Sequence, residues 1–229
     1  VEYEVEQVSG EVLRISSPAR LPDEAQIAEV REPWMRLEVI RPTEFYGVII
    51  ELTKKRRGIF ISQDYPSPNR VQLNYDIPLS ELIVDFFDDL KSRTRGYASM
   101  DYHFLDYRPG NLVKLEILVD SEPVDALAAI VHKEDAYHKG QALITRLKAL
   151  IPRQLFDVAI QASASGRVIS RANVKALRKD VLAKCYGGDI TRKKKLLEKQ
   201  KKGKRRMKMV GDVEIPQEAF MAVLRLEDE

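Results

Sequence analysis

The sequence predicts an α+β protein of two domains, the first of them ferredoxin-like. Residues 34–107 carry strand and helix patterns in the order β-α-β-β-α-β, which is typical of a four-stranded antiparallel sheet with both helices on one face. Residues 112–229 form a second unit of strand pairs and helices with no internal repeat. The chain of 229 residues is long enough for two ordinary domains, and 44% hydrophobic with 32% charged residues indicates a folded globular protein.

The first 33 residues are predicted to end a preceding domain and to lead into a linker. Residues 3–15 alternate like a hairpin around the turn Ser9-Gly10, and two strands cannot bury a core alone. Residues 16–33 hold three prolines and little periodicity, which favours a linker. Because the chain starts at Val1 rather than at Met, we expect it to be a piece of a longer protein.

The predicted first domain comprises residues 34–110. Strand patterns lie at 35–40, 59–62, 70–75 and 97–104. Thr43 is the predicted N-cap of the first helix and Gly58 its predicted C′ residue. A second helix is predicted to run unbroken from Pro78 to Gly96. Its apolar residues share one face and are Leu79, Leu82, Ile83, Phe86, Phe87 and Leu90.

The predicted second domain comprises residues 111–229. Strand pairs are expected at 112–119 with 124–131 and at 156–161 with 166–170, and a helix at 141–151. A further helix is predicted from Ala172, with its core-facing residues Val174, Leu177, Val181 and Leu182. A basic helix or tail is expected at 189–208, and a final amphipathic helix at 216–226.

The residues argue against chemistry carried by this chain itself. It has no Gly-Lys-Ser or Gly-Lys-Thr, so the P-loop that cradles nucleotide phosphates is missing, and the histidines have no metal-ligand spacing. Gly187-Gly188 is interpreted as a turn with Asp189 capping the next helix, the alternative being a nucleotide contact. The single cysteine, Cys185, is interpreted as a core thiol, the alternative being a nucleophile. We therefore predict no catalytic residue, no metal and no cofactor in this chain.

The sharpest signal in the sequence is a basic run at residues 192–208. It holds 11 Lys or Arg residues and one acid, Glu198. The whole chain carries only +3, so subtracting the +10 of the run leaves the other 212 residues at −7. Positive charge concentrated in this way indicates a polyanionic partner, usually nucleic acid. A solvated tail and an anionic membrane surface are the alternatives, although Leu196 and Leu197 are too few for a membrane-binding face.

The run is predicted to bind structured RNA through its phosphates. Basic side chains at 192, 193, 195, 199 and 202 would spread around most of a helix, which favours insertion into an anionic groove over packing on a protein core. Few aromatic residues interrupt the run, which favours backbone contacts over base readout, and hence RNA shape rather than a DNA sequence. Tyr186 could stack on a base or belong to the core. The predicted RNA-binding residues are Lys184, Tyr186, Arg192, Lys193, Lys194, Lys195, Lys199, Lys201, Lys202, Lys204, Arg205, Arg206 and Lys208.

Several stretches resemble the C-terminal half of LepA, the back-translocating elongation factor of the translational GTPase family. The stretch 182–197, which reads LAKCYGGDITRKKKLL, resembles the LepA signature, and 151–162 resembles the same LepA-specific domain. Residues 77–81, 86–92 and 94–99 and the tripeptide Arg56-Arg57-Gly58 resemble the fifth domain of translocase-type GTPases, which elongation factor G shares. The resemblance covers essentially the whole chain.

This resemblance implies a role on the ribosome in the cytoplasm. GTP and Mg²⁺ would belong to a G domain that this chain lacks, so the parent would be the GTPase. The first domain would approach the stalk base and rRNA of the large subunit, and the second would reach along a tRNA. The implied protein is a monomer that promotes back-translocation or ribosome remodelling, with a weak peripheral association with the membrane. A free-standing RNA-binding module and a peripheral membrane protein remain the alternatives.

Overall fold

Two compact units make up the chain. The computed structural model describes residues 1–83, 85–177, 190–208, 213 and 215–224, and the side chains of 204–208 and 222–224 lie outside that description. Residues 1–112 form the first unit, and the second begins at Val113. Strands and helices are mixed in both units, which confirms the predicted α+β class.

The first unit is built on one antiparallel sheet. Its strands are β1 (Tyr3–Gln7), β2 (Val12–Ile15), β3 (Ile27–Pro42), β4 (Ile59–Ser67), β5 (Arg70–Pro78) and β6 (Ser99–Pro109). Its helices are α1 (Tyr46–Lys55), α2 (Leu79–Ile83) and α3 (Phe86–Arg93). β3 pairs with β5 on one side and with β6 on the other, and β4 pairs with β5. The order β4-β5-β3-β6 is that of the ferredoxin-like fold, as the sequence predicts.

One face of this sheet packs against the helices. Leu37 and Val39 on β3 and Leu73 and Ile77 on β5 alternate with polar residues, and all four are fully buried. They form one cluster with Ile49, Leu52, Leu82, Phe86 and Leu90 from the three helices. Burying a side chain of this size stabilises the fold by about 1.5–3 kcal/mol, so this cluster fixes the helices on the sheet.

The predicted linker is wrong for residues 27–33, because they form the first half of β3. This part of β3 pairs with β1, so the hairpin of β1 and β2 belongs to the same sheet. Glu32, which falls within the predicted linker, is only 2% exposed. The origin of residues 1–33 in a preceding domain stays a prediction.

The ends of α1 differ from the prediction. Thr43 opens a short 3-10 turn, Phe45 occupies the N-cap, and neither position carries a side-chain cap. At the other end the left-handed C′ residue is Arg57, with φ of 58°, and the Gly58 N–H donates to the Thr53 carbonyl at 2.7 Å. This is a Schellman motif displaced by one residue from the predicted position. A Cβ on Gly58 would lie 2.8 Å from that carbonyl oxygen, so glycine is needed for the close approach.

The second predicted helix is two helices. Asp85 has a left-handed φ of 53° and separates α2 from α3. The break turns Ile83 and Phe87 outward, so that they are 54% and 48% exposed instead of joining the predicted apolar face.

The second unit combines an antiparallel sheet with helices. Its strands are β7 (Leu112–Val119), β8 (Glu122–Pro123), β9 (Ala129–His132), β10 (Val158–Ala164) and β11 (Arg167–Val174). Its helices are α4 (Ala136–Leu150), α5 (Ile190–Lys208) and α6 (Gln217–Leu224). The sheet order is β11-β10-β7-β8, with β9 also paired to β7. Leu115, Ile117, Leu143, Leu147 and Ile160 are fully buried in its core.

Two helix predictions in this unit need correction. Helix α4 begins at Ala136, five residues before the predicted start. Residues 172–174 belong to β11, so no helix starts at Ala172, and Val174 is buried from a strand. Val181 and Leu182, predicted on the same helix, lie outside the described residues.

Candidate nucleic-acid interface

The basic run forms helix α5. Its 19 residues, Ile190–Lys208, rise about 1.5 Å each and so span roughly 28 Å. Helical backbone extends through every Lys and Arg residue of the run, which confirms that the run is helical. Eleven cations therefore lie along a single element.

One stripe of this helix is half-buried, contrary to the prediction of charge exposed all round. Lys193, Leu196, Gln200 and Gly203 recur at i, i+3, i+7 and i+10, and each is of intermediate exposure. This period places the four on one side of a helix. The charge thus faces outward over part of the circumference rather than all of it.

The rest of the circumference of α5 presents a basic face, by which we mean the exposed residues Arg192, Lys194, Lys195, Lys199, Lys201 and Lys202. Four of them repeat at i, i+3, i+7 and i+10, and helical neighbours at such spacing lie about 5–6 Å apart. Like charges this close repel one another. Among the described residues, none of these side chains has a carboxylate within ion-pair distance. An external polyanion would supply the missing negative charge.

The helix dipole adds to this positive potential. The first turn of α5 contains no acidic residue, although a helix N-terminus favours Asp or Glu. It carries Arg192 and Lys193 there instead. The backbone N–H groups and the side-chain cations therefore both make the N-terminal end of α5 positive. Such an end attracts phosphate.

The remaining predicted site residues are placed in part. Lys184 and Tyr186 lie outside the described residues, as do Cys185, Gly187-Gly188 and Asp189. The last four, Lys204, Arg205, Arg206 and Lys208, continue the helical backbone, and their side chains lie outside the description. The structure thus brings together the six residues of the basic face, with Lys193 on the half-buried stripe.

Several arginines of the first unit are, by contrast, paired inside it. The Arg57 guanidinium donates to both oxygens of Glu32, at 2.7 and 3.0 Å, and to Glu81 at 3.2 Å. Burial on its own would lower the pKa of Arg57, but the hydrogen bonds and the attraction of Glu32 and Glu81 raise it above its ordinary value. This cluster joins β3 to the end of α1 and the start of α2.

A second paired cluster lies on the sheet. Asp76 accepts hydrogen bonds from Arg36 at 2.7 Å and from Arg108 at 2.8 Å, and the Arg108 guanidinium stacks 4.9 Å from the centre of the Trp34 ring. Burial would raise the pKa of Asp76, but the bonds from Arg108 and Arg36 lower it below its ordinary value. These arginines are committed to the fold and are not available to a partner.

The described part of the chain shows neither a metal site nor a membrane-spanning helix. No group of three or more His, Cys, Asp or Glu residues there could hold a metal ion. None of the described helices has both the length and the apolar character needed to cross a bilayer.

Two family models match the chain side by side. The model described as elongation factor G C-terminus matches residues 29–118, and the one described as GTP-binding protein LepA C-terminus matches 119–225. The boundary between them lies at the end of β7, close to the division between the two compact units.

Curated relatives match over the full chain. Proteins named elongation factor 4 are 55% identical in Halalkalibacterium halodurans over 228 residues, 56% in Thermosynechococcus vestitus over 229 and 52% in Lactococcus lactis over 229. Each match covers 100% of this chain but only 37–38% of the relative. The chain therefore spans less than two fifths of the length of these proteins and corresponds to their C-terminal part.

Proposed function

Because this chain belongs to the LepA family, we propose that it is the ribosome- and RNA-binding C-terminal portion of a translation elongation factor. The basic face of α5 contacts phosphates of tRNA or of large-subunit rRNA. The observation that carries the proposal is the row of exposed cations on α5 without carboxylate partners among the described residues. Such a row provides affinity for a nucleic-acid backbone without base readout.

The enzymatic step belongs to the parent protein in this proposal. GTP and Mg²⁺ bind a G domain outside this chain, and the present residues supply position rather than catalysis. Back-translocation or ribosome remodelling then requires only that the basic face binds one ribosome state more tightly than another. The protein works in the cytoplasm as a monomer on the ribosome.

The first unit is proposed to contact the stalk base of the large subunit. Ile83 and Phe87 support this role, because the break at Asp85 leaves both side chains about half exposed on adjacent short helices. Exposed apolar side chains close together are common at interaction surfaces.

A direct test is the salt dependence of RNA binding. Replacing Lys194, Lys195 and Lys199 with Gln removes three phosphate contacts, so the slope of log affinity against log salt should fall by roughly 2–3. The measurement is filter binding of tRNA or of ribosomes across a salt series. The matched control replaces Lys54, Lys55 and Lys148, three exposed lysines outside α5, with Gln. An unchanged slope in the α5 variant would rule out phosphate contacts by the basic face.

Anionic lipid is the rival partner, and positive charge alone supports it. Flotation with anionic vesicles at about 0.15 M salt, where the Debye length is about 8 Å, separates the two possibilities. We expect the chain to pellet with ribosomes and not to float. Flotation that depends on the basic face, without ribosome pelleting, would favour the membrane.

A further inference from the structure

A cleft of about 350 Å³ opens in the first unit, at the end of the sheet where α1 begins. It lies between the 3-10 turn that precedes α1 and the facing ends of β4 and β5. The cleft is lined by Thr43, Tyr46, Gln63, Tyr65 and Val71. Two tyrosine rings, three hydroxyls and one carboxamide thus surround a space large enough for a small polar group.

A buried cation lies behind one wall of this cleft. Arg41 continues the alternation of Leu37 and Val39 on the buried face of β3 and is only 1% exposed. The carbon at the centre of its guanidinium lies 5.1 Å from the centre of the Tyr46 ring, which lines the cleft. Its Nη1 donates to the carbonyl of Thr43, another lining residue, at 3.4 Å, and to that of Pro42 at 2.9 Å.

The charge of Arg41 is not balanced by the described residues. Its Nε and Nη2 have no hydrogen-bond partner among them, and the groups that interact with its charge are the tyrosine hydroxyls of Tyr75, Tyr46 and Tyr65. Burial lowers the pKa of Arg41, which is the effect of a desolvated cation without a carboxylate. An unpaired buried charge is unfavourable unless something compensates it.

The surroundings of the cleft also favour negative charge. The Tyr46 hydroxyl donates to Oε1 of Gln63 at 3.0 Å, which leaves the amide nitrogen of Gln63 as a donor on the wall. Helix α1 starts beside the cleft with no side-chain cap, so the positive end of its dipole adds to the charge of Arg41.

We propose that this cleft binds a phosphate group, whose charge compensates Arg41 and which accepts hydrogen bonds from Thr43, Gln63 and Tyr65. The phosphate belongs either to a small phosphorylated molecule or to the backbone of a single-stranded nucleic acid. The site is built entirely from residues of the first unit and does not depend on α5 or on the proposed role of α5 in binding RNA.

The test is titration of the ¹⁵N-labelled 229-residue chain, followed through the backbone amide signals of Thr43 and Gly47. Three probes are used: inorganic phosphate, adenosine monophosphate and a single-stranded oligouridine. We expect saturable shifts at these two amides. Equal affinity for phosphate and the monophosphate points to a small molecule, and much tighter binding of the oligonucleotide points to a nucleic-acid backbone. No shift at these amides with any of the probes would overturn the proposal.

Two variants test whether the phosphate binds in the cleft itself. Arg41→Met removes the buried charge, and Gln63→Glu adds a negative charge on the exposed wall while keeping an acceptor for the Tyr46 hydroxyl. Each should weaken phosphate binding at least tenfold. Gln26→Glu makes the same charge change at an exposed position away from the cleft and should leave the affinity unchanged.

Gln63→Glu keeps the test decisive if Arg41→Met fails to fold, because its site is on the surface. Affinity in Gln63→Glu equal to that in Gln26→Glu would show that the phosphate binds elsewhere. Thr43 lines the cleft and Gly47 lies in the first turn of α1, whereas the basic face belongs to α5.

Discussion

Arg57 in the first unit and the lysines on the basic face of α5 hold positive charge in opposite ways. Arg57 is held between Glu32 and Glu81, whose side chains are 2% and 6% exposed. Lys194 and Lys199 on α5 are exposed and have no carboxylate partner among the described residues. The first arrangement satisfies charge inside the fold, and the second leaves charge for a partner.

Whether a cation is paired inside the fold indicates whether it serves stability or the binding of a partner. A cation whose hydrogen bonds end on buried carboxylates contributes to stability, and its removal leaves an unpaired charge behind. A cation on a solvated helix contributes little to stability and can be replaced without unfolding. The two classes should therefore separate cleanly when stability and RNA binding are measured on the same variants.

The largest effect is expected for Arg57→Met. It leaves Glu32 buried without its bidentate partner, so the free energy of unfolding should fall by about 3–5 kcal/mol. Urea denaturation measures this change, with Arg20→Met, an exposed arginine of the same unit, as the control. A loss below about 1 kcal/mol would mean that Glu32 finds other partners or water. RNA binding by the folded fraction should stay the same.

Asp76→Asn should have the next largest effect and should depend on pH. Loss of the charged acceptor for Arg36 and Arg108 should lower the free energy of unfolding by about 1.5–3 kcal/mol at pH 7. Because the folded state lowers the pKa of Asp76, the native carboxylate stabilises the fold above its unfolded pKa of about 3.9. That stabilisation is lost as pH falls through the folded pKa.

Urea titrations of the native protein and of Asp76→Asn from pH 7 to pH 2 check this pH dependence. The difference in stability between native protein and Asp76→Asn should be constant down to about pH 5 and should shrink below about pH 4. A difference that stays constant to pH 2 would show that the pairing does not depend on the carboxylate charge.

On α5 the comparison is between two neighbouring lysines, one on the basic face and one on the half-buried stripe, in their effect on RNA binding. Lys194→Gln should lower the salt slope of RNA binding by about 0.7–0.9, the loss of one phosphate contact. Lys193→Gln, on the half-buried stripe, should lower it less. Neither change should alter the free energy of unfolding by more than about 0.5 kcal/mol. Equal slopes for the two variants would mean that RNA approaches α5 from more sides than the basic face.

The smallest effect is expected for a substitution in the first turn of α5 that should change helix stability and RNA binding in opposite directions. Arg192→Glu places an acid in the first turn of α5, near the positive end of the dipole, and should stabilise the helix by about 0.3–1 kcal/mol. The same change should weaken RNA binding. Helical circular dichroism against temperature, with filter binding on the same sample, checks both signs, and Arg192→Gln controls for loss of the positive charge alone. Tighter binding in the Glu variant would contradict a role of this turn in contacting phosphate.

Much of the fold follows from local sequence patterns. The order of strand and helix patterns over residues 34–107 was enough to predict the ferredoxin-like sheet, and the composition of residues 189–208 was enough to predict a basic helix. The half-buried stripe at Lys193 could not be predicted in the same way. Which side of a helix is covered depends on the tertiary structure, and charge composition does not record it.

Each difference from the prediction has its own physical cause. Glu32 falls in the predicted linker because residues 16–33 hold three prolines and little periodicity. Its partner Arg57 is 25 positions away, so only the folded chain shows that the carboxylate is neutralised. Asp85 breaks a helix although nothing in the apolar spacing marks it, since a left-handed residue there redirects the backbone. Arg41 lies one residue beyond the predicted strand 35–40, and its burial follows from the extension of β3 to Pro42.

Strand β3 has a mechanical consequence. It runs unbroken through 16 residues, roughly 50 Å at 3.3 Å each, and pairs with the N-terminal hairpin at one end and with β5 and β6 along the rest. The hairpin and the ferredoxin-like sheet therefore share one continuous backbone element, and the pairing of that element with β6 shifts register between Trp34 and Met35. We expect a force applied to the hairpin to act along β3 toward Arg41, and the sheet to bend at this register shift.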